Sequence, residues 1–284
     1  MSRGGRTTPA RVRKVRAAHV VEEDDVLATE EPMEIRVVTS EDGEPHERSL
    51  SVTMRTPGND FELAVGFLFG EGLLRSNHDV DRVVYCTSPI LEQEYNVVSV
   101  HLRDGVRIDP HRLERHFYTT SSCGVCGKTS LEAVRVASSY AIPANRPMVR
   151  RDVIERLPER LRGGQEVFRA TGGLHAAGLF DAEGRLECLR EDVGRHNAVD
   201  KVVGQEVLGG RVPLSDGVLV VSGRASFEIV QKAAVAGIPF VVAVGAPSNL
   251  ALDLAREFRM TLIGFARGEA FNVYAGSDRI VDAG

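Results

Sequence analysis

Three short, almost wholly apolar runs in the last third of the chain constrain its fold more than any other feature. They are Val218–Val221, 240–244 and 262–265, and between them residues 226–236 and 249–258 repeat apolar side chains at helical spacing. Strands apolar on both faces are buried on both faces, and their alternation with helices predicts parallel β-α-β units. Just upstream, 174–180 and 185–189 flank the turn Asp181-Ala182-Glu183-Gly184, a hairpin signal, and Ala198, Val199, Val202, Val203 and Val207 mark a further helix.

The first part of the chain is of another kind. Residues 33–38 and 49–54 alternate around the polar turn Glu41-Asp42-Gly43-Glu44, which predicts a hairpin. Asp60 is expected to cap a helix carrying Phe61, Leu63, Ala64, Phe67 and Leu68 and closed by Gly70 and Gly72. Strands are expected at 83–86 and 97–102, and an irregular connection at 142–151. The division is therefore a small α+β domain over 20–115 and an α/β domain over 116–284. Residues 1–19, with Arg3, Arg6, Arg11, Arg13, Lys14 and Arg16 and no apolar run behind them, read as a disordered basic tail and not a signal peptide.

With 43% hydrophobic and 26% charged residues in 284, the chain has the balance of a soluble protein able to bury a sizeable core. Its net charge of −5 argues against a general nucleic-acid binder. No run approaches the roughly 18 to 20 apolar residues that cross a bilayer, so no membrane partner and a cytoplasmic location are expected.

Four cysteines do not make a disulfide scaffold. Cys86 and Cys188 stand singly in strand-like runs, as small buried hydrophobes do. The other two form Cys123-Gly124-Val125-Cys126, a spacing that in such a chain points to metal binding or thiol chemistry. Leu131, Val134, Ala137 and Tyr140 follow at helical spacing, so the pair sits at or just before a helix N-terminus, whose partial positive charge favours a thiolate. Lys128 adds a full charge, Gly124 and Gly127 leave the sulfur open to another protein's thiol, and Thr119 through Ser122 offer hydroxyls. Other readings of the pair stay open at this level. A structural zinc needs four ligands and would have to borrow one such as His116; a thioredoxin-like exchanger usually follows the first strand of a β-α-β unit; and the pair can be merely structural. Zinc deaminase chemistry is not supported, because Ser122 and not proline precedes Cys123 and no H-x-E stands upstream. No resident metal is expected.

In an open parallel sheet, ligands lie beyond the carboxyl ends of the strands. Here those ends read Ser222-Gly223-Arg224-Ala225-Ser226, Gly245-Ala246-Pro247-Ser248-Asn249 and Arg267-Gly268. Small residues leading into helix N-termini, with arginine in two of the three turns, suit a phosphate-bearing ligand, although tight β-α turns favour such residues in any case. The polar string from Arg190 to Lys201 reads as a strand-to-helix junction with a solvated first turn, and His175 as a structural histidine.

Several of these strings resemble the formate dehydrogenase accessory sulfurtransferases, the FdhD/NarQ family. The strings are Thr120-Ser121-Ser122-Cys123-Gly124-Val125-Cys126-Gly127-Lys128, Thr171-Gly172-Gly173-Leu174-His175-Ala176-Ala177 and Glu191-Asp192-Val193-Gly194-Arg195-His196-Asn197-Ala198-Val199-Asp200-Lys201, with Val221-Ser222-Gly223-Arg224-Ala225-Ser226-Phe227-Glu228 and the run from Phe265 to Tyr274. The resemblance covers residues 20–284. It implies a cytidine-deaminase-like three-layer α/β/α second half beside the smaller α+β region. It also implies a sulfur carrier between a cysteine desulfurase and the molybdenum cofactor, Mo-bis(molybdopterin guanine dinucleotide), of formate dehydrogenase. Cys123 would carry the persulfide and Cys126 would assist. The cofactor, a guanine-nucleotide-type ligand, would be held by Arg267, Gly268, Glu269, Ala270, Phe271 and Asn272, with Ser222, Gly223 and Arg224 at the strand ends. Glu269 and Ala270 depart from the more polar or basic residues expected there. Two other functions remain beside sulfur transfer: a non-catalytic cofactor-binding chaperone, and a C-x-x-C thiol oxidoreductase. A homodimer is the expected assembly.

Overall fold

The computed structural model describes residues 5–17, 19–41, 43–86, 95–108 and 140–282. The Cys123-Gly124-Val125-Cys126 segment and the stripe at Leu131, Val134 and Ala137 lie outside the described residues. The fold is mixed α/β, with six helices among the described residues.

The centre is a six-stranded sheet. β8 (His175–Phe180) and β9 (Leu186–Asp192) form the expected hairpin, and β10 (Val218–Val221), β11 (Phe240–Ala243) and β12 (Thr261–Arg267) run parallel to one another. β13 (Ala270–Ala275) folds back antiparallel on β12, giving the order β13-β12-β11-β10-β8-β9. Alternate residues of the strands divide between two apolar layers. Val218, Val220, Phe240, Val242 and Ile263 pack on Val153, Ile154, Leu157 and Leu161 of α2 (Arg151–Gly164). Leu219, Val221, Val241, Ala243 and Leu262 face α4 (Arg195–Leu208), α5 (Phe227–Val235) and α6 (Asn249–Glu257). This is the helix-sheet-helix layering expected, with the strands buried on both faces.

The smaller sheet has the order β4-β3-β6-β5, from β3 (Glu31–Glu41), β4 (Glu44–Arg55), β5 (Val80–Tyr85) and β6 (Val97–Leu102). Its helix α1 (Asp60–Gly70) joins the two halves. Gly66 of α1 and Gly204 of α4 face each other so closely that a Cβ on Gly66 would lie 1.9 Å from the Asp200 carbonyl oxygen, and one on Gly204 1.8 Å from that of Glu62. Only hydrogen fits at either position. One hydrophobic cluster accordingly runs from Met33 and Ile35 through Leu63 and Leu68 to Val199, Val203, Leu219 and Leu262.

Four expectations need correction. The basic segment expected as a tail is strand β1 (Thr7–Arg16), paired along its length with β2 (His19–Ala28). The reason is charge: Arg13 meets Glu22, and Lys14 lies between Glu23 and Asp25. Asp60 does not cap α1; Asn59 holds the cap position with φ 59°, and Asp60 is buried against Arg55. Cys86 falls just beyond β5 and is only half-buried, whereas Cys188 is buried in β9. Finally, β7 (Val149–Arg150), α2 and α3 (Glu166–Thr171) follow directly where an irregular connection was expected to end, with β7 paired to β14 (Ile280–Val281).

Candidate functional site

The carboxyl ends of β10, β11 and β12 are tied into one shelf. The Gly245 N–H donates to the Gly223 carbonyl (3.0 Å), the Ser248 N–H to that of Ala225 (3.0 Å), and the Phe265 N–H to that of Gly245 (3.0 Å). Ser222 is locked to β8, its N–H donating to the Ala176 carbonyl (3.0 Å) and its Oγ accepting from the Ala176 N–H (2.9 Å). Because Oγ accepts there, its own proton remains available to a ligand.

On the α2 side of this shelf lies an open cavity of roughly 890 Å³. Ser222, Val244, Ala266 and Arg267 form its floor, and Arg162 of α2, Gln165 between the two helices, and Phe168 and Arg169 of α3 form its wall. The Arg162 guanidinium sits 4.1 Å above the Phe168 ring, and an Arg169 N–H donates to the Gly163 carbonyl. Gln165 is 2% exposed, yet its Nε2 has no hydrogen-bond partner among the described residues. A buried amide donor without a partner carries a desolvation cost of about 1–3 kcal/mol, which an acceptor entering the cavity would relieve. Three arginines and an unspent amide donor suit an anionic, acceptor-rich ligand; Glu159, on the same wall, opposes one locally.

α3 is held by Glu191, whose carboxylate accepts the Val167 (3.0 Å) and Phe168 (2.7 Å) N–H groups at the helix N-terminus. The polar string after it turns inward and is not a solvated first turn. Asp192 is buried, pairs with Lys201 at 2.6 Å, and accepts the N–H groups of Thr56 (3.1 Å) and Gly194 (2.8 Å) and the Asn197 amide (3.0 Å). Lys201 also donates to the Thr56 carbonyl at 2.8 Å. This network fixes the start of α4 beside the shelf.

There, on the opposite side from the cavity, a Cβ at Gly223 would lie 3.4 Å from His175 Nδ1 and 3.8 Å from Arg195 Cδ. Burial, with the charges of Arg195 and His196 beside it, holds the His175 pKa below its ordinary value. His196 Nε2 contacts Ser226 Oγ at 3.1 Å and Glu228 Oε2 at 2.7 Å, and that bond pulls the Glu228 carboxyl below its ordinary range.

The expected cofactor residues are thus partly gathered and partly divided. Ser222 and Arg267 meet in the large cavity. Gly223 lies beside His175, and Arg224 is packed across Gly245. Glu269, Ala270 and Phe271 line a second cavity, about 440 Å³, with Arg151 and Ile280. Gly268 makes the turn with φ 53°, and Asn272 is exposed on β13 opposite Gly264. Cys123 and Cys126 lie outside the described residues. Arg162, Gln165 and Arg169 were not anticipated from the sequence. The helical spacing of Val153, Ile154, Leu157 and Leu161 was the signal that could have found α2, which carries Arg162; Gln165 and the short α3 with Arg169 follow it.

The sequence pattern of the FdhD/NarQ family matches residues 28–281. The chain belongs to the FdhD/NarQ family. Among FdhD/NarQ relatives, the sulfur carrier protein FdhD of Streptomyces coelicolor is 52% identical over 280 residues, 97% of this chain and 96% of its own. That of Mycobacterium tuberculosis is 48% identical over 282 residues, 98% and 99% of the two chains. A crystal structure of a proposed formate dehydrogenase accessory protein from Desulfotalea psychrophila superposes with a TM-score of 0.72 at 26% identity, covering 97% of this chain and 99% of that one.

Proposed function

We propose that this chain accepts sulfane sulfur on Cys123 and delivers it to the molybdenum cofactor destined for formate dehydrogenase. The observation that carries this reading is likeness to named sulfur carriers at about half identity over nearly the full length, in a chain with one C-x-x-C. In the loading step the Cys123 thiolate attacks the outer sulfur of a cysteine desulfurase persulfide. A new S–S bond forms at Cys123, the desulfurase cysteine leaves as thiolate, and no net oxidation occurs. The charge of Lys128, two residues past Cys126, would favour the thiolate. Cys126 serves as the neighbouring relay thiol.

The cofactor, as cargo, is Mo-bis(molybdopterin guanine dinucleotide), which supplies the metal that receives the sulfur. Arg162, Arg169 and Arg267 would hold its phosphates, the Ser222 hydroxyl and Gln165 amide would donate to its acceptors, and the 265–272 segment would border it. The large cavity supports this assignment through its cations and its unpartnered amide.

The test is Cys123→Ala in a cell lacking the wild-type protein. Formate dehydrogenase should stay inactive while the purified variant still binds the cofactor. If the enzyme matures with this variant, the protein acts as a cofactor chaperone and the sulfur-carrying role is lost.

A further inference from the structure

The wall of the large cavity rests on a helix too short to stand alone. α3 has six residues, of which only Val167 is buried, and isolated helices shorter than about 12 residues are marginal in water. Its first N–H groups have no acceptor within the helix, and the Gln165 side chain at the cap position accepts none of them. Glu191 takes them from β9, the edge strand of the central sheet. Its carboxylate is 2% exposed, with Oε2 accepting the Val167 N–H and Oε1 the Phe168 N–H.

Gln165, Arg169 and Arg162 all depend on that first turn. The Gln165 carbonyl accepts the Arg169 N–H at 3.1 Å, so these two lining residues move together. The Phe168 ring lies under the Arg162 guanidinium, which is thereby held from the same turn. On its other side Glu191 meets the root of the β1–β2 ribbon, where Arg6 Nη2 stands 3.7 Å from Oε2. The Thr29 N–H donates to the Arg6 carbonyl (3.0 Å), and the Thr8 and Thr29 hydroxyls share a hydrogen bond at 2.8 Å. Ala28 closes the contact: a Cβ on Gly173, just past α3, would lie 3.4 Å from its own. The ribbon root is thus packed against the end of the helix whose start Glu191 holds.

We infer that Glu191 is the positioning residue of this wall, and that Arg6 is the tie by which the ribbon steadies it. The inference rests on the reading that the cavity takes the anionic cofactor. A carboxylate suits the place because two acceptor oxygens meet two adjacent N–H groups, whereas an amide would turn a donor on one of them. Its charge also favours a helix N-terminus, and Arg6 offsets that charge beside an anion site.

Residue-resolved amide exchange on the full chain reads the tie directly. Glu191→Gln should speed exchange at Val167 and Phe168 about fivefold or more, the scale of a lost helix cap, and leave β10 and β11 unchanged. Arg6→Gln, at a side chain 40% exposed, should give a smaller change of the same sign. Added to Glu191→Gln it should change little more, since it acts through that carboxylate. Binding of purified Mo-bis(molybdopterin guanine dinucleotide), measured by calorimetry, should weaken about fivefold or more in Glu191→Gln. That loss should shrink on an Arg169→Ala background, because it is exerted through α3. On an Arg267→Ala background, where the missing arginine belongs to the floor, it should persist in full. Unchanged exchange at Val167 and Phe168 overturns the inference whatever the cofactor does. So does an equal binding loss on both backgrounds, which would mark a general loss of structure. A wild-type chain that fails to bind the cofactor overturns the cavity reading instead, and exchange then decides by itself whether Glu191 holds the wall. Should Glu191→Gln not fold, Arg6→Gln takes its place in both measurements, and the absence of any effect there is equally decisive.

Discussion

Asp192 gathers four donors, from Lys201, Thr56, Gly194 and Asn197, in a site closed to water. Removing one partner of a buried ion pair strands the other, so Asp192→Ala should cost about 3–5 kcal/mol in unfolding by denaturant. Replacing Asp192 and Lys201 together by apolar residues should cost less than the single change. The spacing of these residues in the string was plain in the sequence, but its inward direction was not. A run of Glu, Asp, Arg, His and Asn looks the same whether water or Thr56 receives it.

His175 carries a second residue-level expectation. Its folded pKa lies below the ordinary 6.5, so near that pH the unfolded chain binds more protons than the folded one. The stability held by neutral His175 is therefore complete above pH 6.5 and is lost as pH falls through the lower folded value. Denaturant titrations between neutral and mildly acid pH should show this loss, and His175→Gln should shallow the slope. An unchanged slope would mean that His175 is solvated.

Among elements, the contact of α1 with α4 leaves least room for change. Gly204→Ala forces a methyl group to within 1.8 Å of a backbone carbonyl, which no rotamer relieves. Overpacking usually costs about 1–3 kcal/mol; here, with backbone as the obstacle, at least the upper figure is expected in melting or denaturant curves. The strands β10, β11 and β12 and the helices between them were legible because each is a short apolar run bounded by Gly, Pro or Ser. α2 was not read, although Val153, Ile154, Leu157 and Leu161 follow helical spacing, because Pro158 sits within it and Arg and Glu fill its outer face. β1 escaped for a different reason: its stability comes from an acidic strand beyond the turn, so nothing within residues 7–16 announces it.

At the scale of the whole molecule, the large cavity is built from chain positions far apart. Arg162 and Arg169 come from α2 and α3, Ser222 follows β10, and Arg267 ends β12. The strand ends could be located from the sequence because topology places ligands there. The opposing wall could not, since which helix covers which face is decided by packing. If the cavity holds an anionic cofactor, Arg162→Ala and Arg267→Ala should each weaken its binding about tenfold or more, the worth of one charge-assisted hydrogen bond. The loss should shrink as salt rises. Titration calorimetry with the purified cofactor reads both effects.

The sulfur itself provides the most direct measurement. The purified chain is incubated with a cysteine desulfurase and cysteine, and its intact mass and peptide map are recorded without reductant. One added sulfur on the peptide bearing Cys123 and Cys126, absent from Cys123→Ala, is the predicted result. A chain that stays unmodified, or that gains sulfur only at Cys86 or Cys188, would contradict the account.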